Sequence, residues 1–282
     1  MPCDTQRTPE ANFQTVLQTF AQAPGLPFQD VLTAESIERV ARVEGVDFGA
    51  APGSIYSVAV TLWAFLAQVL SKAKACVAAV ARVLVLRIAL DLPPCASETG
   101  AYCKARAKLP ERFLQRLTLD VGHQVERTAP PSWRWKDRHV FLADGSTVTM
   151  PDTLSNQQAY PQPRTHKPGL GFPIARLVVL LALATAVVTG AALGPYVGKK
   201  PGEPALLHHL LDQLHAGDVL LGDRSFGSYW LVALTQAHGL DGVFRLHHRR
   251  GDDFCRGQQL GADNPLVEWQ KPKRPPWLDE ET

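Results

Sequence analysis

The run Leu177–Leu193, LVVLLALATAVVTGAAL, holds no charged residue and limits the possible folds of this chain more than any other segment. It approaches the length a helix needs to cross a bilayer. Yet two threonines and a glycine interrupt it, and β-branched residues are frequent. A β-hairpin buried on both faces has the same composition, with its turn around Ala184–Ala186. The segment therefore allows either a membrane protein built on it or a sheet whose inner strands it supplies.

The 282 residues are enough for two domains, and 45% hydrophobic with 20% charged residues excludes wholesale disorder. A formal net charge of +2 does not by itself indicate a nucleic-acid partner. Its distribution is more informative. Lys104, Arg106, Lys108, Arg112, Arg116, Arg127, Arg134, Lys136 and Arg138 are opposed only by Glu111, Asp120, Glu126 and Asp137. A second basic group, Arg245 with His247, His248, Arg249 and Arg250, follows an apolar run. Such clusters are solvated faces unless they share one surface, in which case they suit phosphates. The five cysteines are scattered and form no C-x-x-C pair, which points to a reducing compartment and away from zinc. The first residues carry Asp4 and Glu10 and no apolar core, unlike a signal peptide. A cytoplasmic protein is expected.

Residues 1–130 read as helical. Short amphipathic pieces, Phe13–Ala23 and Ala34–Val43, lie between turn signals. Ser54 is placed to cap a helix running to Leu70, and Ser71 a second one ending before Pro93-Pro94. That second helix carries Cys76, Val77, Val80, Leu84 and Ile88 at helical spacing. Ser97 opens a short basic helix with Lys104 and Lys108 one turn apart. Pro110 suits the start of the next helix, striped by Phe113, Leu117, Val121 and Val125. After Ala129-Pro130-Pro131 the pattern changes. Residues 131–250 read as strand (His139–Ala143), hairpin, helix (Pro204–Leu214), strand (Asp218–Gly222), helix (Ser228–His238) and strand (Gly242–Leu246). That order implies an α/β fold with a mixed sheet. Residues 251–282 are polar and Pro-rich.

Two aspartates share a context. Asp144 is expected to end the strand HVFLA, and Asp223 the strand DVLLG. Carboxylates at neighbouring strand ends can converge on divalent metals, which in two-metal phosphoryl transfer lie roughly 3.5–4 Å apart. Mg²⁺ (or Mn²⁺) suits such oxygen ligands. The plainer alternative is that Asp144 starts a turn before Gly145 and Asp223 caps a helix.

The stretch LADGSTVTMPDT (142–153), continuing SNQQAYPQP, resembles the first catalytic motif of the insertion-sequence-four family of DDE transposases. LLGDRSFGSYWLV (220–232) is similar to its second, with Asp223, Ser225 and Phe226 in place. AVTLWAFLAQVLS, TGAYCKARAKLP and LVEWQKPKRPPW also resemble bacterial members, so the likeness runs from about residue 56 to the end. The resemblance implies a bacterial, cytoplasmic transposase: a helical DNA-binding domain before an RNase H-like core whose inner strands are the apolar hairpin, and no membrane span. It carries over Asp144 and Asp223 as the first two catalytic acids and metal ligands. Thr147 is expected to support them by hydrogen bonding, and Asp152 to form a turn. Double-stranded DNA, as transposon ends and as target, is the implied partner, with two copies pairing in a synaptic complex. Lys104, Arg106 and Lys108 are the candidate DNA contacts.

The departure is the third acid. The family carries it in a Tyr-Arg-Glu-Lys motif after a β-rich insertion, and no such pattern occurs here. Glu268, in VEWQKP, lacks the required neighbours. The expectation is a chain that stops inside that insertion, which begins near residue 251, and that does not cut DNA alone. A DNA-binding remnant without catalysis is the alternative, and a membrane protein the more distant one.

Overall fold

The structure is a computed structural model and describes residues 31–246, apart from 164, 166, 168 and 199–201, and residues 257–278, apart from 263. Phe13–Ala23 and the basic residues 247–250 lie outside the described residues. The chain divides into two compact units, Met1–Leu117 and Thr118–Thr282.

The described part of the first unit is helical: α1 (Ala34–Val43), α2 (Val58–Leu70), α3 (Cys76–Ala89), α4 (Gly100–Arg106) and the start of α5 (Glu111–Thr128). Thr33 caps α1, its hydroxyl accepting from the Ser36 amide at 3.2 Å. Ile37, Val40 and Ala41 then turn one face inward. The cap of α2 is Ser57 rather than Ser54, its hydroxyl accepting from the Val60 amide at 3.3 Å. Ser71 closes α2 instead of opening α3: it donates to the Gln68 carbonyl at 2.8 Å and accepts from the Lys74 amide at 3.0 Å. On α3 the buried residues are Ala79, Val80 and Val83, while Val77 and Ile88 face outward.

One polar side chain organises this unit. Gln68 is buried at the end of the apolar helix α2. Its Oε1 accepts from the Tyr102 hydroxyl at 2.7 Å and from the Arg106 guanidinium at 2.8 Å. Its Nε2 donates to the Lys74 carbonyl at 2.9 Å. A buried amide satisfied on both sides ties α2, α4 and the α2–α3 turn together. Burial pushes the Tyr102 phenol up to about 12, although the adjacent Arg106 charge pulls the other way.

The second unit is a five-stranded mixed sheet in the order β3-β2-β1-β4-β5. Its strands are β1 (Val140–Thr149), β2 (Ile174–Ala182), β3 (Val188–Pro195), β4 (Val219–Gly222) and β5 (Asp241–Phe244). Pairs β1–β2 and β2–β3 are antiparallel, whereas β4 lies parallel to both β1 and β5. The charge-free segment is thus a hairpin, turning at 183–187 with Ala186 at φ 55°. Among the described residues, no helix is long and apolar enough to cross a membrane.

Helix α6 (Leu154–Ala159) follows β1; α7 (Glu203–Leu211) and α8 (Tyr229–Ala237) connect the later strands. Leu206, Leu207, Leu210 and Leu211 of α7 and Leu231 and Leu234 of α8 share one core with Phe141, Ala143, Val178, Leu180 and Leu220 of the sheet. Arg138, just before β1, donates to the Gly217 carbonyl at 2.7 Å and pairs with Asp241, pinning the starts of the three parallel strands. Buried Glu126 of α5 accepts from the Thr185 hydroxyl at 2.8 Å and meets His139 Nδ1 at 2.9 Å, fixing the hairpin turn against the entry of β1. A short pair, β6 (Gln258–Gln259) with β7 (Pro265–Leu266), follows later in the chain.

The Tyr102 phenol makes a pH prediction. With its folded value above the unfolded 10.0, its contribution is fully present below pH 10 and is lost as pH rises toward about 12. Urea unfolding at successive alkaline pH values should show stability falling through that window. In Tyr102→Phe the fall should be shallower, after a loss of about 1 kcal/mol at neutral pH for the missing hydrogen bond.

Candidate active site

The strand HVFLA does not stop at Asp144. Strand β1 continues to Thr149, so Asp144-Gly145-Ser146 lies inside it. An Asp-Gly pair favours a turn in isolation, but here β2 pairs with β1 along Phe141–Thr149 and holds it extended. Asp223 does follow directly on the last residue of β4.

Register sets the relation between the two aspartates. Ala143 stands beside Gly222 in the parallel β1–β4 ladder, and Gly222 beside Phe244 in the β4–β5 ladder. The residues that follow directly on these three paired positions are Asp144, Asp223 and Arg245, a set termed the aspartate row. The Arg245 amide donates to the Gly222 carbonyl at 3.2 Å, closing the last pair of the β4–β5 ladder. Neighbouring strands are about 4.8 Å apart, and residues in register project from the same face. Ala143 and Leu220 mark the face covered by α7 and α8. The aspartate row, one residue further along each strand, projects from the other face, with Leu142, Val179 and Leu181.

Both aspartates are exposed. The Oδ1 of Asp144 accepts from the Gly145 amide at 2.9 Å. The Oδ1 of Asp223 accepts from the Ser225 amide at 2.8 Å and the Ser225 hydroxyl at 2.6 Å, which aims the carboxylate. In each, Oδ2 makes no hydrogen bond among the described residues, leaving one hard oxygen per carboxylate for a cation. Two such oxygens on one row fit part of the donor set of a divalent ion such as Mg²⁺ or Mn²⁺. Among the described residues, no group of three His, Cys, Asp or Glu side chains is arranged to hold a metal.

Other expectations fare differently. Thr147 projects from the opposite face of β1 to Asp144, because three steps along a strand reverse the side, so it is not placed to support that carboxylate. Asp152 accepts from the Gln157 side chain at 2.8 Å and braces its own loop. Glu268 is exposed beyond β7. Lys104 is exposed on α4, and Lys108, beyond the helix end, holds its ammonium 5.5 Å from the Phe48 ring centre. Arg106 is turned inward, to Gln68 at 2.8 Å and the Cys76 sulfur at 3.7 Å. Ser225, part of the motif in sequence, meets Asp223 through a local contact two residues on, while the position of Arg245 after the Gly222–Phe244 pair follows from strand register. Glu203 is a further acid close to β1, but its carboxyl lies against Gly145 on the helix-covered face: a Cβ at Gly145 would come within 2.6 Å of it.

Gly222 is required by space. A Cβ there would meet the Phe244 ring at 2.8 Å and the Phe226 Cβ at 3.1 Å. Phe226 is fully buried, so the backbone before Asp223 is pressed between two aromatic side chains.

Over 173 residues, 60% of its length, the chain is 27% identical to the transposase InsG of insertion sequence element IS4 from Escherichia coli strain K12. The matched stretch spans 37% of that protein. The similarity supports a transposase family for this chain. No family model matches it, and no solved structure matches it.

Gly222→Ala should cost about 1–3 kcal/mol by overpacking. Thermal unfolding should register that loss, and any divalent-ion affinity that depends on the aspartate row should fall with it. A variant as stable as the parent would show that Phe244 moves aside freely.

Proposed function

We propose that the chain is a DDE-type transposase component, with residues 131–250, inside the unit Thr118–Thr282, as an RNase H-like core acting on double-stranded DNA at transposon ends. The observation that carries this reading is the pairing of Ala143 with Gly222 and of Gly222 with Phe244, which Asp144, Asp223 and Arg245 each directly follow. The strand order, an antiparallel meander extended on the β1 side by two parallel strands, fits such a core. The similarity to an insertion-sequence transposase is consistent with it.

In this reading Asp144 and Asp223 hold divalent metal, Mg²⁺ or Mn²⁺. When bound, such an ion stabilises charge that develops on phosphate oxygens during phosphoryl transfer. Ser225 fixes the orientation of Asp223. Arg245 supplies a guanidinium one strand away, suited to a phosphate of the same DNA strand. Lys104 and Lys108 are kept as backbone contacts from the first unit, and Arg106 serves the Gln68 network.

The second reading is a DNA-binding component without cleavage, since among the described residues only two acids, Asp144 and Asp223, are assigned to the site. The two make different predictions. Titration with Mn²⁺ should reveal binding that weakens about 10-fold or more in Asp144→Asn and in Asp223→Asn. Binding unaltered by either change would remove the shared-metal role. The chain alone should bind element-end DNA without nicking it. Nicking by the native chain that disappears in Asp223→Asn would mean that a further acid, such as Glu268, completes the site.

DNA affinity should fall steeply with salt, since each neutralised phosphate releases counterions. Lys104→Ala with Lys108→Ala should flatten the plot of log affinity against log salt by about 0.9 for each phosphate no longer neutralised. A slope equal to the native one would place the DNA-binding surface elsewhere.

A further inference from the structure

The segment Lys271–Leu278, KPKRPPWL, forms no helix or strand, yet it is anchored along its length. At one end the Lys271 ammonium lies 4.9 Å from the Trp230 ring centre. The Trp230 indole N–H donates to the Lys273 carbonyl at 3.3 Å. At the other end Leu278 is 4% exposed within the sheet–helix core, and Trp277 packs against that core with its ring 5.9 Å from His208 of α7. Pro272, Pro275 and Pro276 fix φ and need no hydrogen-bond partner for an N–H, and the Leu278 amide closes a turn on the Pro275 carbonyl at 3.2 Å, so the backbone is held at low entropic cost. A solvated charge run needs none of these anchors. Here they hold Lys271, Lys273 and Arg274 on the surface within four consecutive residues.

The anchor also sets the location. Trp230 lies in the first turn of α8, which opens directly after the turn that begins at Asp223 and is capped by Ser228. Gly227 in that turn is packed against the Arg245 carbonyl, so that a Cβ there would stand 2.7 Å from its oxygen. Through Trp230 the strap is thus tied to the first turn of the helix that opens six residues after Asp223, and Gly227 in the intervening turn is tied to Arg245 at the end of β5.

We propose that Lys271–Leu278 is a prearranged strap that grips the sugar-phosphate backbone of duplex DNA beside Asp223. The inference rests on the proposed transposase function and adds to it a specific contact surface. Proline-stiffened, anchored backbone presents the cations in a preset arrangement, so little backbone freedom is lost on binding.

The test uses the full chain and fluorescence anisotropy with labelled duplex DNA over a range of salt. The triple variant Lys271→Gln, Lys273→Gln, Arg274→Gln should bind more weakly, with a salt slope reduced by about 2–3 at roughly 0.9 per phosphate. The charge-conserving pair Lys271→Arg, Lys273→Arg should keep the native slope. Trp230→Ala, which releases the strap and leaves net charge unchanged, should also lower the slope; circular dichroism establishes that it and the triple variant are folded. A native slope in the folded triple variant overturns the strap while DNA binding stands. A native chain that binds no DNA overturns both the strap and the function it rests on. Binding to vesicles of anionic phospholipid, without binding to DNA, assigns the strap to a membrane surface and overturns it equally.

Discussion

The parallel pairing of β1 with β4 is the constraint on which the rest of the second unit depends. It is a single register: Ala143 beside Gly222, with Phe244 next in line. Moved by one residue, it would put Asp223 on the helix-covered face and Asp144 alone on the other, because side chains alternate with a period of two. Three devices hold the register. Arg138 pins the strand starts to Gly217 and Asp241, Gly222 is confined by Phe226 and Phe244, and Leu220 is fully buried in the shared core.

The two sheet faces consequently have different physical roles. The leucines of α7 and α8 cover one face, and burying each such side chain contributes about 1.5–3 kcal/mol. The other face carries the aspartate row among half-buried aliphatic side chains. Stability and chemistry are separated by the thickness of a strand, so the acids sit on a rigid support without being buried in it. Kept in contact with water, these carboxylates incur no burial cost that the fold would have to offset.

Much of the fold was legible because periodic burial dictates it. Ala34–Val43, the hairpin within Leu177–Leu193, the strand before Asp223 and the helix after Ser228 all declare themselves by apolar spacing and caps. The misreadings have a common physical origin. Serine and Asp-Gly favour turns locally, but Ser54, Ser71 and Asp144-Gly145 each sit where tertiary pairing or a competing cap decides the backbone. The direction of a charged side chain was equally illegible. Arg106 belongs to a basic run in sequence, yet a buried glutamine amide thirty-eight residues earlier takes up its guanidinium. Arg245 shows the converse: its basic neighbours in the chain mark it as a candidate phosphate contact, but its position one residue past the Gly222–Phe244 pair follows only from strand pairing.

The crossover also sets an order of events during folding. Strands β1, β2 and β3 are successive and antiparallel, and each connection between them is far shorter in sequence than the step from β1 to β4. The β4 partner of β1 begins at Val219, about eighty residues after Val140. Closing that loop is entropically slower, and pairing over long separation is the slow class of event in β-containing proteins. On a growing chain, one edge of β1 therefore stays unpaired while the helix α7 and its approach are still being synthesised. An open apolar strand edge is a template for pairing with another chain. The nascent protein is most vulnerable to association in this interval, before β4 arrives and covers the edge.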